Sequence, residues 1–220
     1  GCYVDVGAAS PTHLSVTRLF YDLGWAGLNV EPEPSACHEL RAERPRDVTV
    51  EVAAGSTEGT STFHIVADTG LSTLDDRIAD QCRSDGYTVR EVTIRTSRLS
   101  DIIDAHLPPD ATIHFLKIDV EGSERAVLEG LDLDRHRPWI VLVEATAPRS
   151  TSANHHEWAH LLADRGYRDV HFDGLNRYFV ADERAELAVA FDRPVNVFTP
   201  GVHRFASVWD DPEEFDIDRW

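Results

Sequence analysis

Two acidic residues, Asp119 and Glu144, each follow an apolar run that predicts a buried strand, at residues 113–118 and 139–143. One helical pattern separates the two runs. A single crossover of this kind is right-handed and predicts neighbouring parallel strands. Strands in a sheet lie about 4.8 Å apart, so we expect the two carboxylates within roughly 5–10 Å of each other.

Two carboxylates at this distance repel each other unless one is protonated or a cation lies between them. A hard divalent ion such as Mg²⁺ prefers oxygen ligands, so we predict a metal site at Asp119 and Glu144. His155 and His156 begin a later helical pattern and could add ligands. Three alternatives stay open: Asp119 caps the following helix, Lys117 neutralises it from the same strand face, or the histidines are simply exposed.

A second group of residues has the spacing of a nucleotide site. Gly7 follows the first strand, residues 3–6, where a glycine allows a ligand to approach the backbone, and Ser10 is a suitable N-cap for a helix over residues 11–23. Glu31 ends the second strand, where nucleotide folds bind ribose hydroxyls. A plain turn at Gly7 and a solvated loop acid at Glu31 are the alternatives. Ala9 replaces the second glycine of a dinucleotide motif, which argues against a dinucleotide.

The elements that position these residues alternate between strands and helices. Strands at 3–6, 28–30 and 48–52, with helices at 11–23 and 35–43, predict the βαβαβ half of an α/β fold. Residues 57–85 read as irregular apart from an extra strand at 60–66, and 87–94 alternate like an edge strand. A capping box at Asn154 and Glu157 predicts a helix to about residue 165. The turn Asp173–Asn176 predicts a terminal hairpin.

Composition limits the classes of protein. The 220 residues favour a single domain, 1–220, and because the chain has no Met we expect an N-terminal segment before Gly1. Three cysteines without metal spacing indicate a reduced, cytoplasmic protein. A net charge of −18 argues against nucleic acid as a partner, and the absence of a run of 18 apolar residues argues against a membrane span. A homo-oligomer stays open.

Four motifs together resemble the FkbM-type methyltransferases, over about residues 3–180. They are Val4-Asp5-Val6-Gly7-Ala8, Asn29-Val30-Glu31-Pro32, Leu116-Lys117-Ile118-Asp119-Val120-Glu121-Gly122 and Val143-Glu144-Ala145-Thr146. The resemblance implies a class I methyltransferase (Rossmann-like) fold: an α/β domain with helices on both faces of a mostly parallel seven-stranded sheet. The implied strand order is 3-2-1-4-5-7-6, with the last strand antiparallel.

The resemblance also implies S-adenosylmethionine as the cofactor. The turn of Asp5, Gly7, Ala8 and Ser10 would then lie under its amino-acid part, Glu31 would bind its ribose, Ala54 would border its adenine, and Asp119 would lie beside it. Glu121, Asn176 and Arg177 become candidates for contacts with the acceptor. For Asn176 and Arg177 a plain hairpin turn is an equal alternative.

We therefore predict an S-adenosylmethionine-dependent O-methyltransferase whose acceptor is a hydroxyl of a sugar, an oligosaccharide or a glycosylated natural product. A metal at Asp119 and Glu144 would lower the pKa of that hydroxyl, and His156 or a metal-linked carboxylate would take its proton. A dinucleotide-dependent reductase and a non-catalytic S-adenosylmethionine-binding module are the two alternatives. Release of methyl groups from the cofactor distinguishes an enzyme from the binding module.

Overall fold

A computed structural model of the chain describes residues 1–66, 69–147, 150 and 152–192. The strands are β1 (Cys2–Val6), β2 (Ala26–Glu31), β3 (Val48–Glu51), β4 (Ala53–Gly55), β5 (Gly59–Val66), β6 (Val89–Arg98), β7 (Phe115–Ile118), β8 (Ile140–Glu144), β9 (Tyr167–Phe172) and β10 (Asn176–Ala181). The α-helices are α1 (Arg18–Asp22), α2 (Pro34–Glu43), α3 (Asp76–Ser84), α4 (Leu99–His106), α5 (Glu124–Glu129) and α6 (Ala159–Ala163). Two 3-10 segments, His155–Glu157 and Asp182–Phe191, complete the set described.

Seven strands form the main sheet, in the order β3-β2-β1-β7-β8-β10-β9. All neighbours from β3 to β8 are parallel, while β10 runs antiparallel to both β8 and β9. This arrangement confirms the predicted class I methyltransferase fold and its strand order. The predicted hairpin is also present, because β9 and β10 are joined by the turn around Gly174, which has a φ of 104°.

Both faces of the central strands are buried, which explains their nearly continuous apolar sequences. On one face the main core contains Val4 and Val6 of β1, with Leu116 and Ile118 of β7. On the other face, Tyr3, Phe115 and Leu142 form a second cluster. Asp5 and Lys117 alternate with Val4, Val6, Leu116 and Ile118, so these two charged residues share the face of Tyr3 and Phe115.

A small second sheet follows β3, in the order β4-β6-β5, with β5 antiparallel and β4 parallel to β6. Helix α3 contacts both β5 and β6. The prediction that residues 57–85 are irregular was therefore wrong for α3. The helix has a signal that could have identified it: Asp75 accepts a hydrogen bond from the Arg77 backbone N–H, and the buried Ala79 and Cys82 lie on one helical face.

Two predicted helices are shorter in the structure. The helix expected over 11–23 is formed only by α1, because Leu14 has a left-handed φ of 52° and interrupts it. The helix expected to begin at Asn154 starts as 3-10 helix and becomes α6 only after Trp158. The Asn154 side chain makes no capping bond and instead donates to the Thr146 carbonyl at 3.2 Å, so the capping box does not form.

The chain divides into two compact units, Gly1–Ala185 and Glu186–Trp220. Every strand and α-helix named above belongs to the first unit, and residues 186–192 are the described part of the second. The single-domain organisation stays a prediction. Within the described residues, no helix is long and apolar enough to cross a membrane.

Candidate active site

Three carboxylates meet at the carboxyl ends of β7 and β8. Asp119 and Glu121 belong to the turn after β7, and Glu144 is the last residue of β8. The parallel register pairs Ile118 with Val143, which brings these ends side by side. One carboxylate oxygen from each of the three acids lies within 4.8 Å of the other two. The structure therefore brings Asp119 and Glu144 together, as the single crossover between their strands predicts, and adds Glu121.

The charges of this carboxylate cluster are poorly compensated. Oε2 of Glu121 and Oε2 of Glu144 are buried and have no hydrogen-bond partner. Burial, followed by repulsion from Asp119, raises the pKa of Glu121 to about 8 and raises the pKa of Glu144 strongly. Three oxygen donors with two unpartnered atoms fit a hard divalent cation, which would satisfy both oxygens and favour the ionised carboxylates.

Lys117 lies beside the cluster, so the predicted neutralisation of Asp119 by this lysine is also present. Lys117 Nζ is 3.4 Å from Asp119 Oδ2 and 3.4 Å from Asp5 Oδ1. Burial disfavours the charge on Lys117, but Asp5 and Asp119 outweigh this effect and raise its pKa. The ammonium is therefore charged and compensates Asp119. A metal site and this ion pair are thus compatible for Asp119.

The two histidines predicted as ligands are not members of the carboxylate cluster. His155 and His156 belong to the 3-10 segment that precedes α6. Burial, together with the nearby Arg177, lowers the pKa of His155, so its ring is neutral at pH 7. Metal binding by His155 and His156, and proton transfer to His156, stay predictions, while Glu121 takes the third place in the cluster.

Glu31 ends β2 and is buried, with a relative exposure of 5%. Its Oε2 accepts a hydrogen bond from the Ala9 backbone N–H at 2.9 Å, and its Oε1 accepts one from Glu33 N–H at 2.8 Å. Burial raises the pKa of Glu31 to about 7, against the effect of these two bonds. Each carboxylate oxygen keeps a lone pair, so Glu31 can accept from two ribose hydroxyls as well.

The turn after β1 is packed against the turn after β7. Gly7 has a φ of 77°, and a Cβ on it would lie 1.8 Å from the Asp119 carbonyl oxygen. Asp119 N–H donates to the Val6 carbonyl at 3.1 Å. The glycine is therefore required by the Asp119 backbone, whereas the sequence predicts that this space is kept free for a ligand. The turn after β1 and the turn that carries Asp119 of the carboxylate cluster are in direct contact at this point.

The other residues expected around the cofactor make contacts within the protein. Asp5 is 1% exposed and its Oδ2 accepts a hydrogen bond from the Thr17 hydroxyl at 2.6 Å. Ala8 and Ala54 are buried. The Ser10 hydroxyl accepts bonds from the N–H groups of residues 12 and 13, and so caps a turn and not a long helix. Their contacts with a cofactor stay predictions.

Asn176 and Arg177 support the hairpin. Asn176 is the register partner of Glu144, which places it at the same end of the sheet as the carboxylate cluster. Its Nδ2 donates to Asp173 at 3.2 Å. Arg177 forms a 2.6 Å ion pair with Asp169. Both residues therefore stabilise the hairpin, which was the alternative to acceptor binding. Contact of Asn176 and Arg177 with an acceptor stays a prediction.

A cleft of about 520 Å³ is lined by residues that follow β7 and β8, although by none of the three clustered acids. Its lining includes Gly122, which directly follows Glu121, and the polar side chains of Asp75, Arg77, Gln81, Asn154 and Glu157. Sequence reasoning missed this cleft because it missed α3, which supplies most of one wall. A larger cavity, of about 680 Å³, is lined by Ile113 and Trp139 at the opposite, amino ends of β7 and β8 and includes none of the three clustered acids.

A family model described as the methyltransferase FkbM domain matches residues 5–168. The chain belongs to the FkbM methyltransferase family. The matched region of this FkbM methyltransferase contains Glu31, Lys117 and all three clustered acids, and it ends within β9. A search among curated proteins found no match. Because the chain belongs to a methyltransferase family, the alternative of a dinucleotide-dependent reductase is excluded.

Proposed function

We propose that this FkbM methyltransferase transfers a methyl group from S-adenosylmethionine to a hydroxyl of a sugar or glycosylated compound, with help from a divalent metal such as Mg²⁺. The observation that carries the proposal is the cluster of Asp119, Glu121 and Glu144. Two of its oxygens are buried without a partner, at the sheet edge where α/β folds bind their ligands.

The cofactor and the metal would be held by different residues of the site. Glu31 would hold the cofactor ribose, as its position at the end of β2 supports. The three clustered carboxylates would hold the metal, which when bound would lower the pKa of the acceptor hydroxyl. As the new oxygen–carbon bond forms and the carbon–sulfur bond breaks, the hydroxyl proton would pass to a cluster carboxylate. A bound metal would keep the cluster carboxylates ionised, as a proton acceptor must be.

The cleft beside Gly122 is the place that we assign to the acceptor. Its carboxylate, amide and guanidinium groups can accept from and donate to several hydroxyls at once. Its volume falls within the range of about 300–1,000 Å³ that is usual for small-molecule sites. These features support a sugar more than an apolar acceptor.

Removal of the metal tests the proposal. We expect methyl transfer from labelled S-adenosylmethionine to a panel of sugars to stop after exhaustive chelation and to return with Mg²⁺. Asp119→Asn and Glu144→Gln should each reduce kcat by about 10²-fold or more while cofactor binding persists, because the ribose contact lies elsewhere. The matched control is Glu129→Gln on α5, an exposed acid paired with Arg125, which should retain activity.

Two results would contradict this assignment. Full turnover by the chelated enzyme would show that no metal takes part in methyl transfer. Asp119 would then be a general base or a structural group. Binding of the cofactor without release of methyl groups, across the whole acceptor panel, would favour the non-catalytic binding module.

A further inference from the structure

Lys117 connects the two ends of the proposed site. Its Nζ donates a 2.6 Å hydrogen bond to the carbonyl oxygen of Gly7, in the turn after β1. The same atom lies 3.4 Å from a carboxylate oxygen of Asp5 and 3.4 Å from one of Asp119. An ammonium group has three N–H donors, and three oxygens from three separate chain positions surround this one.

The surroundings of Lys117 hold this arrangement in place. The residue is 7% exposed, and its register partner on β1 is Asp5. The second oxygen of Asp5 accepts from the Thr17 hydroxyl, and Thr17 in turn accepts a 2.8 Å bond from the buried Arg44. The ammonium therefore rests on a buried polar network and presents its remaining donors to Gly7 and Asp119.

We infer that Lys117 is a positioning residue for methyl transfer, which holds the Gly7 carbonyl and the Asp119 carboxylate in one fixed arrangement. The inference rests on the proposed function and extends it from the clustered acids to a buried lysine that neither carries the methyl group nor takes the proton. A purely structural lysine would need only Asp5, its register partner. Contact with Gly7 and Asp119 links it to the cofactor turn and to the carboxylate cluster.

The decisive variant is Lys117→Met, which keeps an unbranched side chain as far as Cε and removes the ammonium. Because it leaves Asp5 buried without a counter-ion, the double variant Asp5→Asn/Lys117→Met restores neutrality as a second test. The matched control is Arg137→Met, which removes a cation that pairs with Glu183 and donates to the carbonyls of Arg165 and Gly166, outside the network around Lys117. The quantities to compare are melting temperature, affinity for S-adenosylmethionine by calorimetry, and kcat and KM for the acceptor.

We expect both Lys117 variants to bind S-adenosylmethionine about 10-fold more weakly and to lose about 10²-fold in kcat, with acceptor KM within about twofold. Arg137→Met should lose thermal stability and keep cofactor affinity and kcat within about threefold. If the Lys117 variants keep the cofactor affinity and kcat that Arg137→Met shows, the inference is overturned.

Further measurements keep the test decisive. If neither Lys117→Met protein folds, Lys117→Arg keeps the charge, but its planar guanidinium cannot direct donors at the same three oxygens. An unchanged kcat in Lys117→Arg would then overturn the positioning role. If the natural protein methylates no acceptor, the proposed function fails, and the cofactor affinities alone decide whether Lys117 positions the turn.

Discussion

At the scale of single residues, the site depends on carboxylates that are buried with incomplete compensation. Glu31, Glu121 and Glu144 all have a pKa above the ordinary value for a carboxyl group, and burial is the largest cause in each case. Such groups favour ligands that donate hydrogen bonds or carry positive charge, because these ligands replace the lost solvation. A ribose and a divalent cation both meet this requirement.

Glu31→Ala should weaken binding of S-adenosylmethionine by about 1.5–3 kcal/mol, the range for hydrogen bonds to a charged group. Calorimetry of the variant and of Glu51→Ala measures the effect. Glu51 is the register partner of Glu31 on β3 and is exposed, so its removal controls for the loss of one acid at this edge. An affinity for Glu31→Ala that equals that of Glu51→Ala would exclude Glu31 from the cofactor site.

Cofactor affinity should also depend on pH through Glu31. In the protein without cofactor the pKa of Glu31 is about 7, and hydroxyl donors bind better to the ionised form of its carboxyl group. Binding then releases a proton below pH 7, so affinity should rise with pH up to about 7, by at most tenfold per pH unit, and level off above. Calorimetry at pH 5.5, 7 and 8.5 checks the profile. Equal affinities at the three values would rule out titration of Glu31 on binding.

At the scale of elements, the close contact between the turns after β1 and β7 is the critical feature of the sheet edge. Gly7→Ala should lower the free energy of unfolding by about 2–4 kcal/mol, because the new Cβ meets the Asp119 carbonyl and the backbone has a left-handed φ.

Gly24→Ala separates these two effects, and denaturant unfolding compares the variants. Gly24 also has a left-handed φ, of 89°, but a Cβ there meets no atom within 4 Å. Gly24→Ala should therefore lower the free energy of unfolding by only about 1 kcal/mol, from backbone strain. Equal losses for the two variants would mean that the contact with Asp119 contributes nothing.

At the scale of the whole molecule, the excess of acids should make stability depend on pH and on metal. In the folded protein Glu31 and Glu121 keep their protons to about pH 7 and 8, whereas in the unfolded chain they ionise near their ordinary value of 4.5. The folded state therefore binds more protons between these limits, so stability should fall as pH rises from about 4.5 to 8. The slope is at most about 1.4 kcal/mol per pH unit for each proton.

Melting temperatures from pH 5 to 8, with and without millimolar Mg²⁺, check this expectation. If the cluster holds a metal as proposed, Mg²⁺ should raise the melting temperature more at pH 8 than at pH 5, since a cation binds the ionised carboxylates. In Glu121→Gln the decline with pH should be shallower. A melting temperature that rises over this interval would show that these acids are not held protonated in the folded protein.

The net charge of −18 also predicts the partners that the protein avoids. A chain with this charge repels the phosphate backbone, so we expect no binding to DNA or RNA at physiological salt. A gel-shift titration at low and physiological salt measures it. Tight binding that weakens with added salt would contradict the expectation.

The sequence by itself determined the main sheet and most of the acids at its carboxyl edge. Continuous apolar runs predict strands that are buried on both faces. The single crossover between residues 113–118 and 139–143 predicts that these two strands are neighbours, while the order of the whole sheet was implied by the resemblance to the FkbM family. The positions of Asp119 and Glu144 at the ends of two such runs are therefore enough to place them side by side. The position of Glu31 at the same edge of the sheet was predicted in the same way, because Glu31 is the last residue of the second predicted strand.

The tertiary structure alone decided the features that depend on contacts between distant turns. Glu121 lies after the end of β7 and has a positive φ, so the alternation of side chains along the strand does not apply to it. Its place in the carboxylate cluster could therefore not be predicted from sequence spacing. Helix α3 is short and polar, and its packing on the second sheet creates the cleft. Gly7 and Lys117 illustrate the same reason: their partners, the Asp119 carbonyl and the Gly7 carbonyl, lie 112 and 110 positions away, and no local pattern encodes such distances.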